Sequence, residues 1–206
     1  MSIRAIAFLF VMGVAILAFV AWPKKQAPAP APTAETGADM SGTGMPGGDM
    51  SLGAEATDAG LKWTVPARWT PQGERPMRLA TYSIPATSGD AEGGECAVFY
   101  FGPNQGGGVE ANIDRWVGQF EKAGTPVRST QTFHGLEVAR VKVGGTFLTP
   151  GGPNMESQGQ KPNYTLLGAI ASGPRGAVFF KLTGPAKTIR AAAAEFDRML
   201  GTLKKS

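Results

Sequence analysis

The chain opens on eighteen residues without a charged or strongly polar side chain, AIAFLFVMGVAILAFVAW at 5–22. As a helix they span about 27 Å, close to the roughly 30 Å hydrocarbon core of a bilayer. A short basic start, Met1 to Arg4, precedes them. The run is longer than an export-signal core and ends in Val20, Ala21, Trp22, Pro23, a poor cleavage site. Trp22 suits the interfacial aromatic belt. The pattern predicts an uncleaved signal anchor over 1–25, with a secreted, cleaved form as the alternative.

The apolar pattern then stops. Ala, Gly and Pro fill 20 of the 38 positions from 23 to 60, with no aromatic residue and Leu52 as the sole branched aliphatic. Such a stretch buries too little apolar area to offset the entropy of ordering it, so 26–60 reads as a disordered linker.

From Leu61 the pattern returns. Strands are predicted at Leu61–Val65, Arg78–Ile84 and Glu95–Phe101. The last is apolar on both faces, as in a central strand covered on both sides. Val109, Ile113, Trp116, Val117 and Phe120 fall on one helical stripe, predicting a helix over Val109–Lys122. Strands follow at Val127–Phe133 and Leu136–Val143 around a tight His134-Gly135 turn. A polar stretch, Thr149–Asn163, interrupts before strands at Tyr164–Ala171 and Ala177–Thr183. A final helix begins at Pro185, with Ile189, Phe196, Leu200 and Leu203 on its apolar stripe. The order β-β-β-α-β-β-β-β-α, rich in hairpins, predicts one α+β domain over 61–206. Its antiparallel sheet would carry two amphipathic helices as an α/β/α sandwich.

That arrangement, with its W-x-V-P-x-x-W start at Trp63–Trp69, resembles the PsbP-like fold, named for an extrinsic subunit of photosystem II. FYFGPNQGGGVEANIDRWVGQF (99–120) and YTLLGAIASGPRGAVFFKLTGP (164–185) are similar to a family of bacterial exported proteins of unassigned function. The resemblance implies fold and location and carries over no catalytic residues.

Charge divides the chain in the same places. The net +4 combines a basic start, an acidic linker (Glu35, Asp39, Asp49, Glu55, Asp58, with no base) and a domain with 17 Lys/Arg against 11 Asp/Glu. Positive-inside counting does not settle orientation, because Arg4 and the amino terminus nearly balance Lys24 and Lys25. A long C-terminal portion behind an N-terminal anchor is usually exported. The expectation is a single-pass protein of the cell membrane, held in the inner membrane by residues 5–22, with a periplasmic or extracellular domain. The domain's bases are scattered, which argues against nucleic acid and for an acidic or envelope partner. One cysteine and one histidine exclude disulfide scaffolds and Cys/His zinc sites.

Candidate chemistry is sparse. Gly102–Gly108 links a strand to a helix, the setting in which amides and a helix dipole cradle anions. No phosphate signature fits, since Gly108 stands where a P-loop needs lysine. Asn104, Gln105, Gly106, Gly107 and Gly108, assisted by Asn112 and Arg115, form the candidate ligand contacts beside a purely structural turn. Met40, Met45 and Met50 are soft ligands at five-residue spacing that could meet Cu(I), or simply low-complexity drift. Cys96 with His134 could form a thiolate pair, but Cys96 lies in the most apolar strand. Glu92 with Glu95, and Glu110 with Asp114, read as solvated surface before general acid/base pairs. The Thr149–Asn163 stretch is mobile or partner-binding. No cofactor is expected. The leading expectation is a non-enzymatic, membrane-tethered extracytoplasmic binding or accessory module contacting a protein or envelope component. A small-molecule or anion-binding domain using 102–108 is the alternative, ahead of a hydrolase-like enzyme.

Overall fold

The computed structural model describes residues 53–56, 59–149 and 159–206. In chain order the elements are β1 (Gly53–Ala56), β2 (Leu61–Thr64), β3 (Thr70–Pro71), β4 (Ala80–Ile84), β5 (Gly94–Tyr100), α1 (Val109–Val117), β6 (Phe120–Glu121), β7 (Val127–Phe133), β8 (Leu136–Leu148), β9 (Gln160–Gly173), β10 (Gly176–Pro185), α2 (Ala186–Gly201) and β11 (Lys204–Lys205). The main sheet is antiparallel and runs β3-β4-β5-β10-β9-β8-β6, with β7 also pairing with β8. A small sheet, β1-β2-β11, is hydrogen-bonded separately and packs Leu61 and Trp63 into the same core as α2. The expected α+β fold, an antiparallel sheet with two helices, holds.

Alternation along the central strands builds two separate cores. Val178, Phe180 and Leu182 of β10 face α2, joined by Trp63, Ile189 and Phe196. Phe179 points the other way, against Ile113 and Trp116 of α1 and Ile170 of β9. The helices therefore cover opposite faces. On the α1 side the approach is close: a Cβ at Gly168 would stand 2.5 Å from the Trp116 ring.

Helix α2 is fastened from outside its own sequence. Pro185 offers no side-chain cap. The Asp90 carboxylate, from the β4–β5 connection, accepts from the Thr188 amide (2.9 Å) and hydroxyl (2.7 Å). A carboxylate at a helix N-terminus satisfies orphan amides and suits the dipole. Farther along, Glu195 accepts from Arg68 Nε at 2.7 Å, Arg68 Nη2 at 2.9 Å and the Trp69 indole at 3.0 Å. Its neighbours, Arg68 first, hold that carboxyl below the ordinary range.

Several expectations change. Strand β4 starts at Ala80 rather than Arg78, β10 runs Gly176–Pro185, and the short strands β3 and β11 add to the expected elements. Helix α1 ends at Val117 rather than Lys122, because Phe120 and Glu121 pair with Phe147 and Thr146 as a short strand. Strands β8 and β9 run past Val143 and start before Tyr164, with Phe147 opposite Lys161 and Leu148 opposite Gln160. The presumed loop 149–163 thus yields residues 160–163 to β9. Backbone pairing needs no apolar side chains, so polar positions could extend the ladder. For the same reason Gly53–Ala56, inside the stretch read as linker, lies along β2. At its other end β5 starts one residue early, at Gly94, and stops at Tyr100. Among the described residues no helix is long and apolar enough to cross a membrane, and 5–22 lie outside them.

Candidate functional site

The loop 102–108 and the start of α1 bring Gly106, Gly107, Gly108, Asn112 and Arg115 together as a packed unit. Asn112 is buried, and its Nδ2 donates to the carbonyls of Gly106 and Gly108, both at 2.8 Å. Its Oδ1 accepts from Arg115. Gly106 has φ +90°, and a Cβ there would meet Phe101 at 2.8 Å and Phe179 at 2.9 Å. Asn112 therefore spends its amide on holding the loop, while Asn104 and Gln105 remain exposed. Met40, Met45 and Met50 lie outside the described residues.

The Cys96–His134 pair is dispersed, whereas Glu92 and Glu95 lie around one cleft, described below. Cys96 is fully buried, and burial pushes its thiol up, away from a nucleophilic thiolate. His134 Nδ1 meets the Leu203 carbonyl at 2.9 Å in the β7–β8 turn. Strands β5 and β8 are three spacings apart through β10 and β9, about 14 Å. Glu110 and Asp114 share Arg128 at 2.7 and 2.6 Å.

A different site emerges from helix length. Nine residues give α1 about 14 Å, whereas the ten of β10 run about 33 Å. Helix α1 therefore covers part of its face and leaves an open cleft of about 440 Å³ beyond its end. Ala97 and Phe99 of β5 and Lys181 and Thr183 of β10 line it. Alternation places them together, since Lys181 is opposite Ala97 and Thr183 opposite Glu95 in the ladder.

One side of the cleft carries Arg75 and Arg78, both bonded to Glu95 at 3.0 and 2.8 Å. On the other, Lys161 pairs with Glu92 at 2.6 Å and lies 5.3 Å from the Tyr164 ring centre. Lysine and the tyrosine hydroxyl together hold the Glu92 carboxyl below its usual range. Four cations thus face two carboxylates around this lining. A smaller hollow of about 280 Å³ lies against the same Arg75 and Arg78, with Glu74 as its one acid.

Lys181 is the unusual member. It donates to Gln119 Oε1 at 2.6 Å and sits 5.5 Å from the Phe147 ring centre, with no carboxylate in ion-pair range among the described residues. Burial pushes its ammonium down to about 8, Arg78 and Arg115 add to the shift, and Glu95 opposes it. Arg115, singled out in the sequence for the glycine loop, thus also acts on this cleft. Beside Lys181, the Thr183 hydroxyl is the one buried side-chain polar atom without a hydrogen-bond partner among the described residues. Native interiors rarely leave such a group alone.

The Lys181 shift has a measurable consequence. An unfolded lysine titrates near 10.5, so between about 8 and 10.5 the unfolded chain holds the extra proton. Stability from this residue therefore rises as pH climbs through that window, and below 8 the whole cost of the buried charge is carried. Lys181→Met is expected to raise the urea midpoint near pH 7 and to remove the rise between 8 and 10. Paired urea titrations of both proteins across that range test this.

Sequence reasoning passed over Lys181 and Lys161. The available signal was a lone lysine inside VFFKLTG, at a position that alternation aims onto a sheet face. An unpaired charge on a central strand is costly and therefore informative.

No protein-family model matches the chain, and no curated protein matches it. Among solved structures, the solution structure of cyanobacterial PsbP (CyanoP) from Synechocystis sp. PCC 6803 is similar, with a TM-score of 0.50 and 11% identity. The match covers 79% of this chain and 98% of that one. A crystal structure from Bacteroides thetaiotaomicron VPI-5482 matches with a TM-score of 0.40 and 13% identity, over 71% of this chain and 45% of that one. The first likeness is one of fold: the domain is PsbP-like in architecture, with an open charged cleft on one face.

Proposed function

We propose that the chain is a membrane-tethered extracytoplasmic binding or accessory module, non-enzymatic, that contacts a protein or envelope component. The observation that supports this reading is the cleft on the uncovered part of the α1 face. A core-forming sheet usually hides its face, and this one leaves a hollow of about 440 Å³ lined by charged and aromatic side chains. In this reading the apolar run at 5–22 is the tether.

Location is tested by fusing alkaline phosphatase, which is active only outside the cytoplasm, to Ser206. The expected result is phosphatase activity that pellets with membranes. Activity in the soluble fraction would point to the cleaved form, and an inactive but intact fusion would overturn the topology. Contact is tested by formaldehyde treatment of cells carrying the full chain. A discrete higher-mass adduct is expected, and its absence across growth conditions would count against the reading.

A further inference from the structure

We propose that the cleft beyond α1 is the seat of a carboxylate on a flat apolar body, carried by the component the domain contacts. The carboxylate meets Lys181 and Arg78, and the body lies against Phe99 and Phe147. This deepens the reading of the domain as a binding module and rests on it.

The argument begins with charge. Arg75, Arg78, Lys161 and Lys181 line the cleft with Glu92 and Glu95, which leaves two positive charges in excess. The pairs are also unevenly shared. Lys161 has Glu92, and Arg75 and Arg78 divide Glu95 between them. Lys181 is left with a neutral amide oxygen and a ring. A half-buried cation with only neutral partners is costly, and an anion is what would offset that cost. Arg115 adds a further positive field at Lys181. The Thr183 hydroxyl, covered beside it, lacks an acceptor.

Shape and lining supply the rest. A volume of about 440 Å³ falls in the range of small-molecule sites rather than single-ion sites. Phe99, Phe147 and Tyr164 give it apolar walls, so a bare inorganic anion would leave most of the cleft unfilled. The Arg78 guanidinium already stacks 5.8 Å from the Phe99 ring centre, which places a cation and an apolar face side by side. A carboxylate can join Arg78 without displacing Glu95, because a guanidinium carries five donors.

The test uses the full chain in lipid nanodiscs, labelled with 15N, and three probes: benzoate, inorganic phosphate and benzylammonium. Benzoate is expected to shift the amides of Ala97, Phe99, Lys181 and Thr183 saturably. Phosphate should bind more weakly at the same residues, and benzylammonium should leave them unmoved. Lys181→Met should weaken benzoate about tenfold or more, as loss of a charge-assisted contact does, while Lys181→Arg should retain it. Spectra of both variants report whether the fold persists. Cleft amides unmoved by benzoate, shifts matched by benzylammonium, or a Lys181→Met protein that titrates like the parent would each overturn the proposal. Phosphate binding as tightly as benzoate would overturn the apolar part of it. If benzoate fails while a formaldehyde adduct persists, the ligand class falls and the binding module stands. If the adduct is missing as well, the module reading falls with it.

Discussion

Replacing Phe180 with alanine is expected to lower the unfolding free energy by about 3–5 kcal/mol. Phe180 is fully buried on β10, at the middle of the α2-side core. Its ring meets Trp63 edge-on, 5.1 Å between centres at 85°. Trp63 belongs to β2, in the small sheet, so this contact ties that sheet to the main one. Removing the ring leaves a cavity that the strand ladder on both sides of β10 prevents from collapsing. Urea denaturation checks it. A loss under about 1 kcal/mol would mean that β2 and α2 are not packed as described. Phe179→Ala, one residue along, should loosen α1 instead of the small sheet, since its ring faces Trp116 at 6.5 Å. Two adjacent residues with separable consequences are what a sheet with two independent cores requires.

Gly168→Ala is expected to cost about 2–3 kcal/mol, at the upper part of the range for overpacking. The added Cβ would stand 2.5 and 2.6 Å from Trp116 ring carbons and 2.9 Å from a Val141 methyl. Strand β9 is paired on both edges and cannot retreat, so α1 must lift. The indole would then shift in fluorescence along with the lost stability. Adding Trp116→Leu to Gly168→Ala should restore part of the loss, because the smaller side chain vacates the contested space. If the double variant is no better than the sum of the two single changes, the clash is not the cause.

The strand pattern was legible because alternation is local. Cys96 and Val98 against Ala97 and Phe99 marked β5 as central before any pairing was known. The His134-Gly135 turn was legible too, and both residues have positive φ, 47° and 74°. The end of α1 was not. Phe120 sits at helical spacing from Trp116 and Val117, and only Phe147, paired with it across β6 and β8, pulls it into a strand. That single difference shortens the helix and opens the cleft. Nor could the cleft's residues be grouped from spacing: Arg78, Glu95, Lys161 and Lys181 converge only through the order β4-β5-β10-β9. The loop at 102–108 drew notice because glycines are conspicuous. Its glycine at 106 lets the backbone lie close against Phe101 and Phe179, and Asn112 of α1 fastens it there.

Site-directed photo-crosslinking in cells tests the central claim most directly. A benzophenone amino acid is placed at Arg75, on the exposed rim of the cleft, or at Ala191, on the exposed side of α2, in the full membrane-anchored chain. A discrete adduct from position 75 and none from 191 is the result expected of a module that binds through the open part of the α1 face. Adducts from 191 alone, or from neither position, would contradict it.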